Sequence, residues 1–310
     1  MRSAVNTQAT SIMVVLCLLW GVQQVAIKLT LPDVSSVLQV SIRSGVAAVL
    51  VLLVAKLVFK ERWLPGALLP AGLLVGVLFA AEFLFVAEGL NRTTASHMSV
   101  FLYTAPIWAA VVLHFRIPEE RLSGRQWVGI GVAFLGIVTA FIVPTLGDGT
   151  ATLTPEMLLG DLFALIAGAA WGLTTVVVRV SKLSEAPATQ TLFYQLAVSF
   201  VLLLAMTLAT GQLRFTSTPT AWLSLGFQSV VVAFGSYLVW FWLLRKYLAA
   251  RLGVLTLLTP VFGVLAGVLL LGDPLTGGFI AGSVLVLAGL LVVNLKGDAA
   301  ASSRRTGTAA

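Results

Sequence analysis

Charge is scarce in this chain of 310 residues. Lys, Arg, Asp and Glu together make up 10% of it, where soluble domains carry about 25%. A soluble enzyme of this length could not cover itself with so little polar surface. Cysteine is represented once, by Cys17, which excludes a disulfide framework and a thiolate metal cluster. The two histidines, His97 and His114, are too few for a multi-histidine metal centre. No phosphate-binding GxxxxGK[ST] loop, GxSxG elbow or HExxH pair occurs. No cofactor and no metal is therefore expected, nor an enzyme. The net charge of +7 does not point to nucleic acid, because the basic residues are scattered between apolar runs rather than gathered in a patch. What the chain has in excess is apolar residues, 59%, with a mean hydropathy of +1.02. The solvent this composition fits is the lipid bilayer.

Crossing the hydrocarbon takes about 20 mostly apolar residues at about 1.5 Å each. Ten such runs can be marked, near 11–29, 35–58, 67–90, 93–114, 124–143, 159–180, 188–210, 220–244, 249–271 and 275–295. They predict an all-α integral membrane protein of ten transmembrane helices, with short loops and a polar tail over 297–310. The longest loop, roughly 144–158, is too small for a separate domain. The first run follows Arg2 without a small-residue cleavage pattern after Leu18-Leu19-Trp20-Gly21, so it reads as a retained helix. With the N-terminus inside, fifteen Lys and Arg residues fall on the inner side. Only Lys28, Arg92 and Arg214 fall outside, and Arg43 lies within a span. Cytoplasmic loops carry such an excess, so both termini are expected in the cytoplasm.

The sequence also resembles itself. Trp20-Gly21 with Lys28 reappears as Trp171-Gly172 with Arg179 at the same spacing. Tyr103-Thr104-Ala105-Pro106 followed by Glu119 matches Leu257-Leu258-Thr259-Pro260 followed by Asp273, and Gly129 and Gly136 recur as Gly282 and Gly289. The repeats, 1–150 and 151–296, would each hold five spans. An odd number turns the second upside down relative to the first, an architecture recurrent in secondary transporters.

On these residues, with Leu271-Gly272-Asp273-Pro274-Leu275 added, the chain resembles the drug/metabolite transporter superfamily (DMT), specifically proteins with two EamA-type repeats. The likeness covers about residues 10–296. Within the family it looks most like the YddG-type exporters of aromatic and other neutral amino acids. The resemblance implies a secondary transporter in a bacterial inner membrane, exporting small amino acids by alternating access through a central cavity. Other small metabolites or cationic drugs are the nearest alternative substrates, and a membrane enzyme or receptor is a remote one. The partners implied are a small-molecule substrate and lipid, with no nucleic acid; a monomer fits as well as an oligomer.

Ionisable groups inside hydrocarbon are costly and default to functional candidates. Here they are Arg43, Glu82, Glu88 and His97. Two readings stand open for Arg43 and Glu82: a structural ion pair, or a site where Arg43 or His97 meets a substrate carboxylate and Glu82 an amino group or a proton. Glu88 and His97 could instead be solvated near the interface. Tyr194 and Ser236 occupy the positions of Arg43 and Glu82 in the second repeat. Helical spacing aligns His97, Phe101, Thr104 and Trp108; Phe234, Tyr237 and Phe241; Trp20 with Gln23, Gln24 and Ile27; and Trp171 with Thr174 and Thr175. Together with Phe79 these would line an aromatic cavity carrying a few polar groups, or simply pack against neighbouring helices. Pro106 and Pro260, mid-span in equivalent helices, are candidate hinges. The pairs Gly72/Gly76, Gly263/Gly267 and Gly278/Gly282 are expected to let helices pack closely within the chain. Glu119 and Asp273 read as caps or loop anchors.

Overall fold

The computed structural model describes residues 6–64, 66–118, 121–146, 154–247, 252 and 255–294. Glu119, the tail over 297–310 and the start of the ninth apolar run lie outside these residues. The described chain is helical throughout: α1 (Thr7–Thr30), α2 (Ser36–Leu53, continued by a π turn over Val54–Val58), α3 (Leu69–Leu90), α4 (Ala95–Leu102), α5 (Ala105–Arg116), α6 (Gly124–Leu146), α7 (Pro155–Val180) and α8 (Ala188–Thr210). Then follow α9 (Pro219–Gly226), a π stretch over Phe227–Ser236, α10 (Tyr237–Lys246), α11 (Leu258–Ala266, continued by a π turn over Gly267–Leu271) and α12 (Gly277–Asn294). Among the described residues seven helical segments are long and apolar enough to cross a membrane, and there are three shorter apolar helices, Gly124–Ala140, Leu258–Leu271 and Gly277–Val293.

Local chemistry sets the ends. Asn6, Thr94, Thr154 and Thr218 each accept a hydrogen bond from the backbone N–H three residues on, opening α1, α4, α7 and α9. Pro155 and Pro219 follow their caps, where a missing N–H costs nothing. Gly211 and Gly272, both at φ 68°, close α8 and the Gly267–Leu271 turn in the left-handed conformation.

The fourth apolar run is not one helix. It breaks at Tyr103–Thr104, before Pro106, and the ninth run turns at Thr256–Leu257, before Pro260. Proline offers no N–H to the carbonyl four residues back. At both breaks the chain tightens instead into bonds three residues apart, with Thr104 N donating to Phe101 O at 3.2 Å and Thr259 N to Thr256 O at 3.0 Å.

Small residues set the helix contacts. A Cβ on Gly136 would lie 2.6 Å from the Gly282 carbonyl, and one on Gly282 would lie 2.5 Å from the Gly136 carbonyl. Gly129 and Gly289 face each other in the same way, so α6 and α12 meet backbone to backbone. Gly21 of α1 abuts Thr259, Phe262 and Gly263 of α11; Gly172 of α7 abuts Ala105, Trp108 and Ala109 of α5. These neighbours stand at the repeat spacing read in the sequence. Gly72 and Gly76 seat Tyr194 and Val198 of α8.

Candidate functional site

Arg43 is 0% exposed at the middle of α2, and its Nε, Nη1 and Nη2 have no hydrogen-bond partner. The guanidinium carbon lies 3.6 Å from the centroid of the Phe83 ring. A cation over an aromatic face gains some electrostatic attraction, but the five N–H groups of the fork are left unspent. Glu82, on α3, is buried with its Oε2 unpartnered. Arg43 and Glu82 therefore share no hydrogen bond. Leaving such groups without partners in a low-dielectric interior costs several kcal/mol.

Other buried side-chain oxygens without a hydrogen-bond partner include Oε1 of Gln23 and Gln24 on α1 and of Gln228 on the π stretch. Aromatic rings form the walls. Phe79 lies tilted against Phe83 at 4.8 Å between centroids, Tyr103 meets Trp171 edge to face at 5.1 Å, and Trp20 lies 6.5 Å from Tyr237. Trp20 Nε1 donates to Ser236 Oγ at 2.8 Å, joining α1 to the π stretch. Among the described residues no group of three or more His, Cys, Asp or Glu could hold a metal ion.

The remaining predicted residues are distributed otherwise. His97 is neither solvated nor free for a substrate carboxylate: its Nδ1 lies 2.8 Å from Asp161 Oδ2, its ring stacks on Phe279 at 4.0 Å, and Thr93 Oγ1 donates to the other oxygen of Asp161. Phe101 packs edge to face on the same Phe279. Lys28 donates to the carbonyls of Leu90 and Thr93, and Asp273 Oδ2 accepts from Ser96 N and Oγ at 2.9 and 2.8 Å, anchoring the first turn of α4. One end of the bundle is thus sealed by polar contacts between α1, α4, α7 and the turn before α12. At this end Glu88 pairs with Arg92 at 2.7 Å and accepts from Gln212.

Trp108 departs from its predicted stripe. It is 40% exposed, because the break at Tyr103–Thr104 resets the helical phase, and its Nε1 donates to Thr104 Oγ1. Tyr194 sits away from Arg43, with its ring on Gly72 and its hydroxyl accepting from Gln190 Nε2. Thr174 spends its hydroxyl on the Ala170 carbonyl within its own helix, and Phe241 is half-buried against the core. Asp161, Tyr103, Thr259, Gln39 and Gln228 were not singled out by the sequence. Only the four-residue spacing of Gln39 and Arg43 on α2 offered a signal.

The profile of the EamA-like transporter family matches residues 8–142 and 158–295. An uncharacterized transporter of Bacillus subtilis, YoaV, is 23% identical over 283 residues, 89% of this chain and 92% of that one. A probable amino-acid metabolite efflux pump of Salmonella typhimurium is 27% identical over 72% of this chain and 76% of its own, and its Escherichia coli counterpart is 26% identical over the same shares. A solved structure superposes over 98% of this chain and 100% of its own length with a TM-score of 0.60 at 20% identity, a likeness of fold alone. The two matched stretches cover nearly the whole length, and the chain belongs to the EamA-like transporter family of membrane transporters.

Proposed function

We propose that this protein is a secondary transporter that exports neutral and aromatic amino acids across a bacterial inner membrane. It would have ten membrane passes in two inverted five-pass repeats, with both termini cytoplasmic. The central observation is the inventory of unspent hydrogen-bonding groups. Arg43 supplies only donors and lies over the Phe83 ring, and Glu82, Gln23, Gln24 and Gln228 supply buried acceptors. A zwitterion with an apolar side chain satisfies such a set: its carboxylate takes the Arg43 fork, as planar bidentate recognition favours, and its ammonium takes the acceptors. Two relatives named as probable amino-acid metabolite efflux pumps support this substrate class.

The mechanism is alternating access. By the Lys and Arg asymmetry the end carrying Lys28 and Arg92 faces outward, so the His97–Asp161 and Ser96–Asp273 contacts close the outer side in this conformation. Opening that side requires α4 to move against α7, and the breaks before Pro106 and Pro260 place a bending point in each half. With no nucleotide site in the sequence, the driving force is the substrate gradient or a coupled ion.

Substrate counterflow in proteoliposomes tests the proposal. Vesicles loaded with unlabelled phenylalanine, threonine or methionine should accumulate the labelled counterpart with no ion gradient imposed, above empty vesicles, and lose this in Arg43→Met. A second reading, a carrier of cationic drugs, is favoured by the unpartnered Glu82 carboxylate among aromatic rings. Counterflow of a cationic dye without any of amino acids would install that reading instead.

A further inference from the structure

The central carbon of the Arg43 guanidinium lies 3.6 Å from the centroid of the Phe83 ring, and that distance fixes how the group is turned. Its delocalised C–N bonds are about 1.33 Å long. Stood on edge over the ring, the group would bring a nitrogen to about 2.3–2.9 Å from the ring plane, well inside the roughly 3.5 Å of a relaxed contact. The guanidinium therefore lies close to flat on the ring. Its face is spent on Phe83, and its N–H groups point outward in its own plane.

None of those N–H groups meets an acceptor, although Glu82 precedes Phe83 on α3 and is near enough to act on the charge of Arg43. Opposite charges attract strongly in a low dielectric, and a long arginine side chain has the freedom to turn toward a carboxylate. The ring competes for it. Phe83 is itself firmly set, 2% exposed and tilted against Phe79. The guanidinium thus rests on a fixed apolar surface beside a carboxylate to which it does not bond.

We infer that Phe83 is a positioning residue for the substrate carboxylate: its ring holds the Arg43 guanidinium flat and off Glu82, which keeps the N–H edge free for a carboxylate lying in the same plane. The inference rests on the transport reading above and adds a residue that acts through Arg43. Planar, two-point recognition of a carboxylate needs the fork fixed in direction before the ligand arrives. A specificity follows. An amino acid presents two acceptor oxygens to this edge, whereas its amide presents one oxygen and an NH2 that meets the fork donor against donor.

The test is counterflow of labelled phenylalanine in proteoliposomes by wild type and Phe83→Leu, with unlabelled phenylalanine and phenylalaninamide as competitors. Wild type should be inhibited far better by phenylalanine than by the amide. Loss of one desolvated cation–aromatic contact predicts a KM for phenylalanine about tenfold higher in Phe83→Leu, with the maximal rate little changed and the preference over the amide reduced. An unchanged KM, or equal weakening of phenylalanine and the amide, overturns the positioning while leaving the transporter reading intact. Equal inhibition by the two in wild type overturns the carboxylate role of Arg43 and the positioning with it. Failure of the wild type with every amino acid overturns the transporter reading as well. A second measurement is independent of the folding of Phe83→Leu. Phenylalanine carrying one, two or three ring fluorines, introduced at residue 83 alone, keeps close to the native shape while draining negative charge from the ring face. KM should rise with each fluorine, and a constant KM overturns the positioning.

Discussion

His97 Nδ1 and Asp161 Oδ2 meet at 2.8 Å, with side chains 2% and 1% exposed, and the contact ties α4 to α7 across the two halves of the chain. Phe279 covers the imidazole face and Thr93 holds the second carboxylate oxygen, so each polar atom named here has a partner supplied by the protein. A contact so fully satisfied closes one end of the bundle. The Arg43 guanidinium and Glu82 Oε2 have no such partners.

Removing one partner of this pair should cost more than removing both. Asp161→Ala leaves the imidazole buried against nothing, and losses of this kind run to about 3–5 kcal/mol. The double variant His97→Phe with Asp161→Leu replaces the pair with apolar groups and should recover much of the loss. Thermal unfolding in detergent of the two single variants and the double variant yields the coupling directly. Additive losses would mean that the contact contributes little.

Arg43 is predicted to behave in the opposite sense. Its guanidinium is buried and unpaired, so Arg43→Met should leave the melting temperature unchanged or raise it. If the group binds a carboxylate, the same variant should lose counterflow by about a hundredfold, the consequence of about 3 kcal/mol. Arg43→Lys should recover only part, because an ammonium cannot present the planar fork. Parallel melting and counterflow assays separate this from a structural role, in which both would fall together.

Much of this was legible in the sequence for a physical reason: apolar length and the expense of buried charge are written in residue identity. The apolar helices and the glycines that interlock could be read there, although of the ten expected spans seven, among the described residues, are long and apolar enough to cross a membrane. Asp161 could not, because it stands at the edge of an apolar run where a carboxylate is cheap, and its partner lies 64 positions away. Gln39 and Gln228 carry no charge to mark them. Tyr103 and Thr259 were visible only as markers of the repeat. In the stripe from His97 to Trp108 neighbours still touch, His97 on Phe101 and Trp108 Nε1 on Thr104 Oγ1, but Trp108, beyond the break at Tyr103–Thr104, is 40% exposed.

The two breaks carry a prediction of their own. Alanine is favoured over proline by about 3 kcal/mol inside a helix, so Pro106→Ala and Pro260→Ala should each favour a continuous helix across its turn. If bending there accompanies the change of access, each variant should slow counterflow with little effect on KM, and the double variant should slow it further. Rates equal to wild type in all three would make the breaks static features.

The α6–α12 seam should respond differently, because nothing in its packing can yield. A Cβ at Gly136 or Gly282 would stand 2.5–2.6 Å from a carbonyl oxygen of the opposite backbone, a separation that only movement of a whole helix relieves. Gly136→Ala and Gly282→Ala should each lower the melting temperature, by the equivalent of about 1–3 kcal/mol as for overpacked cores. The double variant should fall short of their sum, since one displacement of the helices relieves both clashes. Gly131, on the same helix with open space around its Cα, is the control: Gly131→Ala should be neutral or stabilising. Equal losses at Gly131 and Gly136 would mean that the close backbone contact is not what makes Gly136 sensitive.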